Sequence, residues 1–540
     1  MGKSSNRRHS STSQIFEICG TKHLDQYSKL WNRFYEPLIL LRVLGQTRGD
    51  HSPRLQQQPL YRVLDNLSYL CDYEKGGSTT TAIGLEDGPV KYKFWIASND
   101  AKKATVNAKF LKSALLDVKT IITISESSRI EAAERFICRC LDHAKKRIEK
   151  EVKLLRREIQ NCRDQKPRDT ELALLLQGFS GTKLSDLCRH AYHIRHNILL
   201  KTLETQYADS GDNVTRQDLS YGLNAVRHYL GRLAHHIRAP EQVLADFSNF
   251  SQLRNIVDEF EVCIVPGVVC VKRPQYVQAC IQTNPSGNNI ISHNHKPADI
   301  FGMLNRMLPS GLSNSHDYRT ALEAMERKYH IRDGVSGQYK DENFKPLVHA
   351  EIQVLDYFYG AGLQYFDDAR YIGCSKPACY CCHLYILHHP ARCVEPQTSK
   401  KLYLNWGLRA LSGVDDPLYL QQRDILNKMV ITIREDALDQ VIRRAGPNRW
   451  HADSQTGITQ DIDVECAEDD EHLSKDDSKG DTSCHHSGDD GGSEDETSAY
   501  SDLLANPATL STTQIQPANS PTTTYFTEDE DSDSGGGASL

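Results

Sequence analysis

Long apolar runs are absent from this sequence of 540 residues. No stretch approaches the roughly 18 uninterrupted apolar residues that a membrane-spanning helix needs. The N-terminal segment MGKSSNRRHSSTSQIF is polar and basic and contains no apolar segment that could form the core of a signal peptide. We therefore expect an intracellular protein, cytoplasmic or nuclear, with no membrane partner.

The sequence also lacks the pattern of a disulfide-stapled secreted protein. Its 16 cysteines are spread over a long chain without a secretory signal, and cysteines in such chains are usually reduced and buried. One dense group of cysteines, between residues 374 and 382, stands apart from this pattern.

Basic and aliphatic residues are scarce after residue 451. Residues 452–540 contain 22 Asp or Glu against two Lys, and such a segment cannot bury enough apolar surface to offset its ordering entropy. The composition predicts a disordered acidic tail. The tail also accounts for the negative sign of the net charge of −7, because residues 1–451 alone are basic, with 62 Lys or Arg against 49 Asp or Glu. A body with this excess attracts polyanions or its own tail, or simply has a solvated surface without a partner.

Amphipathic periodicity predicts a helical module over residues 100–258, preceded by a partly disordered region at residues 1–99. Between Glu131 and Gln160 apolar residues recur every three or four positions, which predicts one amphipathic helix of about eight turns. Its apolar stripe consists of Ile137, Leu141, Ala144, Ile148, Val152, Leu155 and Ile159. Shorter helical patterns occupy residues 171–177, 184–205 and 217–237.

An α/β domain is predicted over residues 259–451. Residues 260–271, FEVCIVPGVVCV, are rich in Val, Ile and Cys, as buried strands are. A helix begins near His349 and stops at Gly360, a residue type favoured at helix C-termini. The segment ARYIG, residues 369–373, is typical of a second buried strand.

The stretch CSKPACYCCHLYILHH contains the most informative residues of the chain. Cys379 and Cys382 form a CxxC pair at the start of a predicted helix, where the positive end of the helix dipole stabilises thiolates. Two thiolates and one imidazole leave a fourth tetrahedral position open on zinc, as a catalytic site requires, whereas structural sites are usually closed. Four neighbours remain that could substitute for a ligand: Cys374, Cys381, His383 and Cys393. Of these, Cys381 points off the face that Cys379 and Cys382 define, and it is interpreted as a packing residue.

His349 and Glu351 lie where the upstream helix begins. Residues two positions apart on a helix point about 200 degrees apart, so the pair can serve one site only at the N-terminal mouth of the helix. His349 would then be the third metal ligand. Glu351 would hold the proton taken from a zinc-bound water, whose pKa is lowered to near neutrality so that a hydroxide can attack an electron-poor carbon.

These motifs resemble the signature of the zinc-dependent cytidine-deaminase-like superfamily, with HxE opening one helix, then a strand, then a PCxxC element opening the next helix. HAE at residues 349–351 matches in full, and SKPACYCC at residues 375–382 matches with one extra residue, Ala378. Together with KKLYLNW at residues 400–406 and the helical N-terminal region, the chain looks most like a deaminase-like branch of uncharacterised fungal proteins related to toxin-type nucleic-acid deaminases.

The resemblance covers about residues 260–433. It implies an α/β/α sandwich with a central mixed sheet, and a zinc ion held between two helix N-termini by His349, Cys379 and Cys382. It implies a hydrolytic deaminase with Glu351 as the proton shuttle. It does not define the substrate; we expect a nucleobase, cytosine first and adenine second, in nucleic acid or in a nucleotide.

Two other functions fit the same residues. With a structural zinc, the protein would be a catalytically inactive adaptor whose helical module and acidic tail recruit partners, and Glu351 would be dispensable. Alternatively, the helical module is a nucleic-acid-binding scaffold beside an inactive deaminase-like domain, with Lys and Arg lining a groove that leads to the site. Trp406 and Tyr380 are interpreted as core residues rather than as platforms on which a base stacks.

Overall fold

The computed structural model describes nine ranges of the chain: residues 26–45, 58–165, 177–194, 214–272, 280–283, 289–292, 299–309, 315–340 and 344–446. The predicted disordered tail and residues 171–176 of the predicted helix at residues 171–177 lie outside them. Among the helices in these ranges, none combines the length and the apolar character needed to cross a membrane.

The helices and strands of the described ranges are numbered in chain order. The helices are α1 (Gln26–Leu44), α2 (Pro59–Cys71), α3 (Ala101–Thr123), α4 (Glu126–His143), α5 (Lys145–Gln165), α6 (Leu184–Ile194), α7 (Val214–Asn249), α8 (Ser251–Asp258), α9 (Ile300–Met307), α10 (Ser315–Tyr329), α11 (Ile331–Lys340), α12 (Ala350–Ala361), α13 (Tyr380–His388) and α14 (Tyr419–Ile442). The strands are β1 (Thr81–Glu86), β2 (Tyr92–Ser98), β3 (Phe260–Ile264), β4 (Cys280–Thr283), β5 (Asn289–Ser292) and β6 (Ile372–Cys374).

Four of the strands form a mixed sheet in the order β3-β2-β1-β6. Strand β1 pairs antiparallel with β2 and β6, and β3 pairs parallel with β2. Strands β4 and β5 form a separate antiparallel pair. The predicted α/β class, with a mixed sheet and a helical N-terminal region, is therefore confirmed.

Helices cover both faces of the sheet, and two glycines show how closely. A Cβ at Gly84 of β1 would lie 2.8 Å from Val354 of α12, and a Cβ at Gly373 of β6 would lie 2.4 Å from the backbone of Leu64 in α2. Ile83, the neighbour of Gly84, pairs with Gly373. Because adjacent residues of a strand point to opposite faces, α12 and α2 lie on opposite sides of the sheet.

The centre of the sheet comes from residues that precede the helical module. Strands β1 and β2, within residues 81–98, pair with β6 and β3, which belong to the predicted domain at residues 259–451. Helices α3 to α8 therefore lie between the second and third strands of one sheet in sequence. The predicted domain boundaries stay a prediction.

The prediction of one continuous helix between Glu131 and Gln160 is wrong, because the helix is interrupted at Ala144. Helices α4 and α5 meet at Ala144, where ψ opens to 6°. The hydrogen bonds Ala144 N to Cys140 O (3.0 Å) and Ile148 N to Ala144 O (2.9 Å) are both kept. The chain therefore bends without losing its hydrogen-bond ladder, and the whole predicted apolar stripe stays buried in one cluster with α7.

A buried ionic network joins the helical module to the loop that carries the cysteines. At its centre, the Asp72 carboxylate accepts hydrogen bonds from Thr79 Oγ1 at 2.6 Å and from Ser375 Oγ at 3.1 Å. It also lies 3.3 Å from Lys376 Nζ and 3.6 Å from an Arg147 nitrogen. Burial raises the pKa of Asp72, but the charges of Lys376 and Arg147 outweigh burial, and the net pKa is lowered.

The network continues into α5 and α7. Arg147 Nε lies 3.3 Å from Glu151 Oε1. Glu151 in turn lies 3.4 Å from Arg232 and 2.9 Å from His236 Nε2. Because the Glu151 side chain is fully buried, each of these charges depends on its neighbours for compensation.

We expect Asp72→Asn to lower the free energy of unfolding by about 3–5 kcal/mol, because it removes a counter-charge of the buried Arg147 guanidinium while keeping the side-chain size. Urea unfolding measures the change. Asp258→Asn is the matched control: Asp258 lies 3.9 Å from Lys119 and is 60% exposed, so we expect a change within about 0.5 kcal/mol. Equal stability of the two variants would contradict the role of the network.

Candidate metal centre

His349 is the residue that immediately precedes α12. Its backbone is extended (φ −65°, ψ 150°) and its side chain does not cap the helix. Asn99, directly after β2, caps the helix instead: its Oδ1 accepts a hydrogen bond from the Ala350 N–H at 2.8 Å. The approach to the helix is fixed by Leu347, whose N–H donates to Asn405 O at 2.8 Å. The His349 imidazole is therefore available for another contact.

Cys379 holds the same position before α13. Its backbone is extended (φ −74°, ψ 168°), and its sulfur accepts the Cys382 N–H at 3.4 Å. The extra residue Ala378 is fixed by a neighbouring segment: its N–H donates to Gln397 O at 2.7 Å, and its carbonyl accepts the Ser399 N–H at 2.9 Å. The insertion is thus accommodated upstream, and both cysteines lie in the first turn of the helix.

These two helix starts bring three side chains together. His349 Nδ1 lies 3.5 Å from Cys379 Sγ and 3.2 Å from Cys382 Sγ, and one ligand atom from each residue lies within 4.8 Å of the others. All three side chains are buried. Within the described ranges, no other group of three His, Cys, Asp or Glu residues converges in this way. One imidazole and two thiols are the ligand chemistry of a zinc site with an open position, so the residues present fit the metal.

Electrostatics favour the metal-binding form of Cys379. Burial raises the pKa of the Cys379 thiol, but hydrogen bonding with Cys382 and the charge of His349 outweigh it and hold the pKa well below its usual range. Burial lowers the pKa of His349, but the Cys379 thiolate outweighs burial, and the net pKa is raised. The thiolate is the form of cysteine that binds metals.

Glu351 lies beside the cluster in the first turn of α12. Its side chain is 5% exposed, and Cys374 Sγ lies 4.0 Å from its Oε2. Burial raises the pKa of Glu351, and Cys382 is among its hydrogen-bonding partners. A buried carboxylate therefore borders the predicted metal ligands, as the position of Glu351 in the sequence indicates.

The residues named as substitute ligands have other contacts. His383 Nε2 lies 2.8 Å from Glu395 Oε1, and Cys393 Sγ lies 3.5 Å from the Tyr365 hydroxyl. Cys381 is fully buried among apolar residues and Cys374 faces Glu351. None of them belongs to the cluster of described ligand atoms.

Trp406 has a contact that sequence reasoning missed. It is a core residue, as predicted, with no exposed surface. Its indole N–H also donates to Cys382 Sγ at 3.2 Å, and Tyr35 holds its backbone by donating to its carbonyl at 2.7 Å. An N–H directed at a metal-binding sulfur stabilises the negative charge of the thiolate. Trp406 is the last residue of the KKLYLNW motif, and this motif was the sequence signal that marked it.

Comparison with known proteins identifies the same part of the chain. Residues 348–410, which include all four predicted site residues, match a family model described as "OTT_1508_deam:-like deaminase". No curated protein and no solved structure matches the chain. Membership of the cytidine-deaminase superfamily and of the fungal, toxin-related branch stays a prediction. Residues 348–410 are therefore similar to a deaminase family.

Proposed function

We propose that this chain is a zinc-dependent hydrolytic deaminase of a nucleobase. His349, Cys379 and Cys382 hold the metal, and Glu351 transfers protons. The observation that carries the proposal is the convergence of one imidazole and two thiols at two helix starts, with a buried carboxylate beside them, inside a segment that matches a deaminase family.

The residues divide the reaction between them. A bound zinc ion would supply a Lewis acid that makes water nucleophilic at neutral pH. Glu351 accepts a proton from the attacking water and delivers it to the ring nitrogen beside the amino-bearing carbon. It then carries the proton of the newly added hydroxyl group to the exocyclic nitrogen, which leaves as ammonia while the hydroxyl oxygen becomes a carbonyl at that carbon. Water and the amino compound are thus converted to a carbonyl compound and ammonia.

Burial gives Glu351 an advantage in this role. A carboxylate shielded from bulk water returns its proton to the bound base rather than losing it to solvent. With zinc bound, the Trp406 N–H would stabilise the negative charge of the Cys382 sulfur and hold the sulfur in place. Cytosine is the first candidate base and adenine the second, in nucleic acid or in a nucleotide. The excess of basic residues in positions 1–451 supports a polyanionic substrate.

Sequencing tests the proposal. DNA and RNA from cells that express the protein should show C-to-T changes, or A-to-G changes if adenine is the substrate, above the level in cells that express Glu351→Gln. If cells with the wild-type protein and cells with Glu351→Gln show the same mutation spectrum, both in DNA and in RNA, deamination of a polymeric substrate is contradicted. Incubation of the purified protein with free nucleosides and nucleotides, followed by ammonia detection, covers the remaining substrate class.

A further inference from the structure

A second concave site lies along α12. It is a cavity of about 440 Å³, within the range of small-molecule sites, roughly 300–1,000 Å³. Helix α12 contributes Gln353, Asp356, Tyr357, Tyr359, Gly360 and Ala361. The rest of the wall consists of Val265, Pro266, Val268, Val348, Tyr385 of α13, Arg409 and the start of α14 (Leu418, Gln421 and Gln422). His349, Glu351, Cys379 and Cys382 do not line it.

Asp356 is the acidic group of this cavity. Its Oδ1 accepts a hydrogen bond from the Tyr385 hydroxyl at 2.8 Å and lies 3.5 Å from His389 Nε2. No hydrogen bond from a described residue reaches its Oδ2. The side chain is 29% exposed where it lines the cavity. One oxygen of a carboxyl group is therefore available to a ligand.

Two glutamines of the wall are engaged with backbone carbonyls, and Arg409 also lines the cavity. The Gln353 amide nitrogen donates to Val348 O at 2.7 Å and to Ser98 O at 3.2 Å. The Gln422 amide nitrogen donates to Arg409 O at 2.9 Å. The remaining wall is mainly apolar and aromatic, with Tyr357 among its rings. Such a wall favours a planar ring, which buries apolar surface against aromatic side chains.

Burial raises the pKa of Asp356 to about 7, although the Tyr385 hydrogen bond and the charge of Arg409 oppose the rise. A carboxyl group in this range accepts hydrogen bonds when ionised and also donates one when protonated. The free Oδ2 of the ionised group therefore accepts a hydrogen bond from an N–H group of a ligand.

We propose that this cavity binds a small aromatic amine, whose ring packs on the aromatic wall and whose amino group donates a hydrogen bond to Asp356 Oδ2. The site is separate from the proposed catalytic cluster, and the proposal does not depend on deamination. A fused bicyclic ring is small enough for the cavity volume.

Two matched probes separate hydrogen bonding from ring burial. 2-Aminoquinoline carries the required amino group, and quinoline has the same ring without it. We expect calorimetric titration to show one 2-aminoquinoline bound per chain, at least about tenfold more tightly than quinoline, since hydrogen bonds to charged groups contribute more than the equivalent of a tenfold change.

Two variants locate the site. Asp356→Leu keeps a similar side-chain size and should weaken 2-aminoquinoline binding at least about tenfold, with quinoline binding unchanged. Gly360→Phe should weaken both probes, because a Cβ at Gly360 meets no atom within 4 Å and the ring would occupy the rim. Gly337→Phe in α11 is the matched control: its Cβ also meets no atom within 4 Å, and it does not line the cavity.

Glu351→Gln distinguishes this cavity from the metal cluster. Binding of 2-aminoquinoline should be unchanged in this variant, whatever its effect on deamination. Loss of binding in Glu351→Gln would place the probe at the cluster and overturn the proposal. Equal affinity for quinoline and 2-aminoquinoline would overturn it as well, as would unchanged binding in both folded cavity variants.

Discussion

Cys379→Ser and Cys382→Ser proteins are each expected to lose their zinc and much of the stability of the deaminase-like domain. Zinc binding contributes roughly 10 kcal/mol or more to the folding of small zinc domains, and a neutral hydroxyl is a far weaker zinc ligand than a thiolate. Both sulfurs lie within 3.5 Å of the His349 imidazole, so either change removes one of three converging ligands. Metal analysis and thermal unfolding of the purified proteins measure the effect.

Cys381→Ser is the control for this prediction. Cys381 is as buried as Cys382 and adjacent to it in the sequence, but it does not belong to the ligand cluster. A buried hydroxyl in its place should cost about 1–3 kcal/mol and leave the zinc bound. Full zinc content in both ligand variants, or the same loss in Cys381→Ser, would refute the assignment of the ligands.

Glu351→Gln is expected to separate the metal from the chemistry. Glutamine has nearly the same size and still forms hydrogen bonds, but it cannot transfer a proton. Zinc content and thermal stability should therefore be kept, while the rate of base conversion falls by roughly 10²- to 10⁴-fold, the usual contribution of general acid–base catalysis. Single-turnover assays on the substrate identified by sequencing measure the rate.

Glu395→Gln is a matched control. Glu395 pairs with His383 near α13 and is 54% exposed, so its substitution should leave the rate unchanged. An active wild-type protein with an undiminished rate in Glu351→Gln would show that the proton-transfer role is wrong, even if zinc is present. If the zinc is structural, Glu351→Gln should have no measurable effect in any assay, including partner binding.

The local features of the site were predictable from the sequence. The predicted helix start near His349 is confirmed by α12, which begins at Ala350. Cys379 precedes α13 directly. Both positions carry local signals, namely an apolar stripe and a preceding extended segment. The predicted stop at Gly360 is two residues early, since Gly362 is the C-cap, with φ 62°. Composition does not show which of two nearby glycines adopts the left-handed conformation.

The supporting contacts were not predictable, because they join residues far apart in the chain. Asn99 caps a helix 251 positions later, and Asp72 holds Ser375 across 303 positions. Periodicity reports which face of an element is apolar but not which element packs against it. For the same reason the sequence did not show that β1 and β2 pair with β3 and β6. Tertiary packing alone brings these groups together.

Zinc K-edge X-ray absorption of the purified wild-type protein tests the central claim most directly, because it counts the atoms bound to the metal. With His349, Cys379 and Cys382 as ligands, it should show two sulfurs at about 2.3 Å and one imidazole nitrogen at about 2.0–2.1 Å. The fourth atom should be a light atom, from solvent. A shell of three or four sulfurs, a second imidazole in the fourth position, or a protein without zinc would contradict a catalytic site built from these three residues.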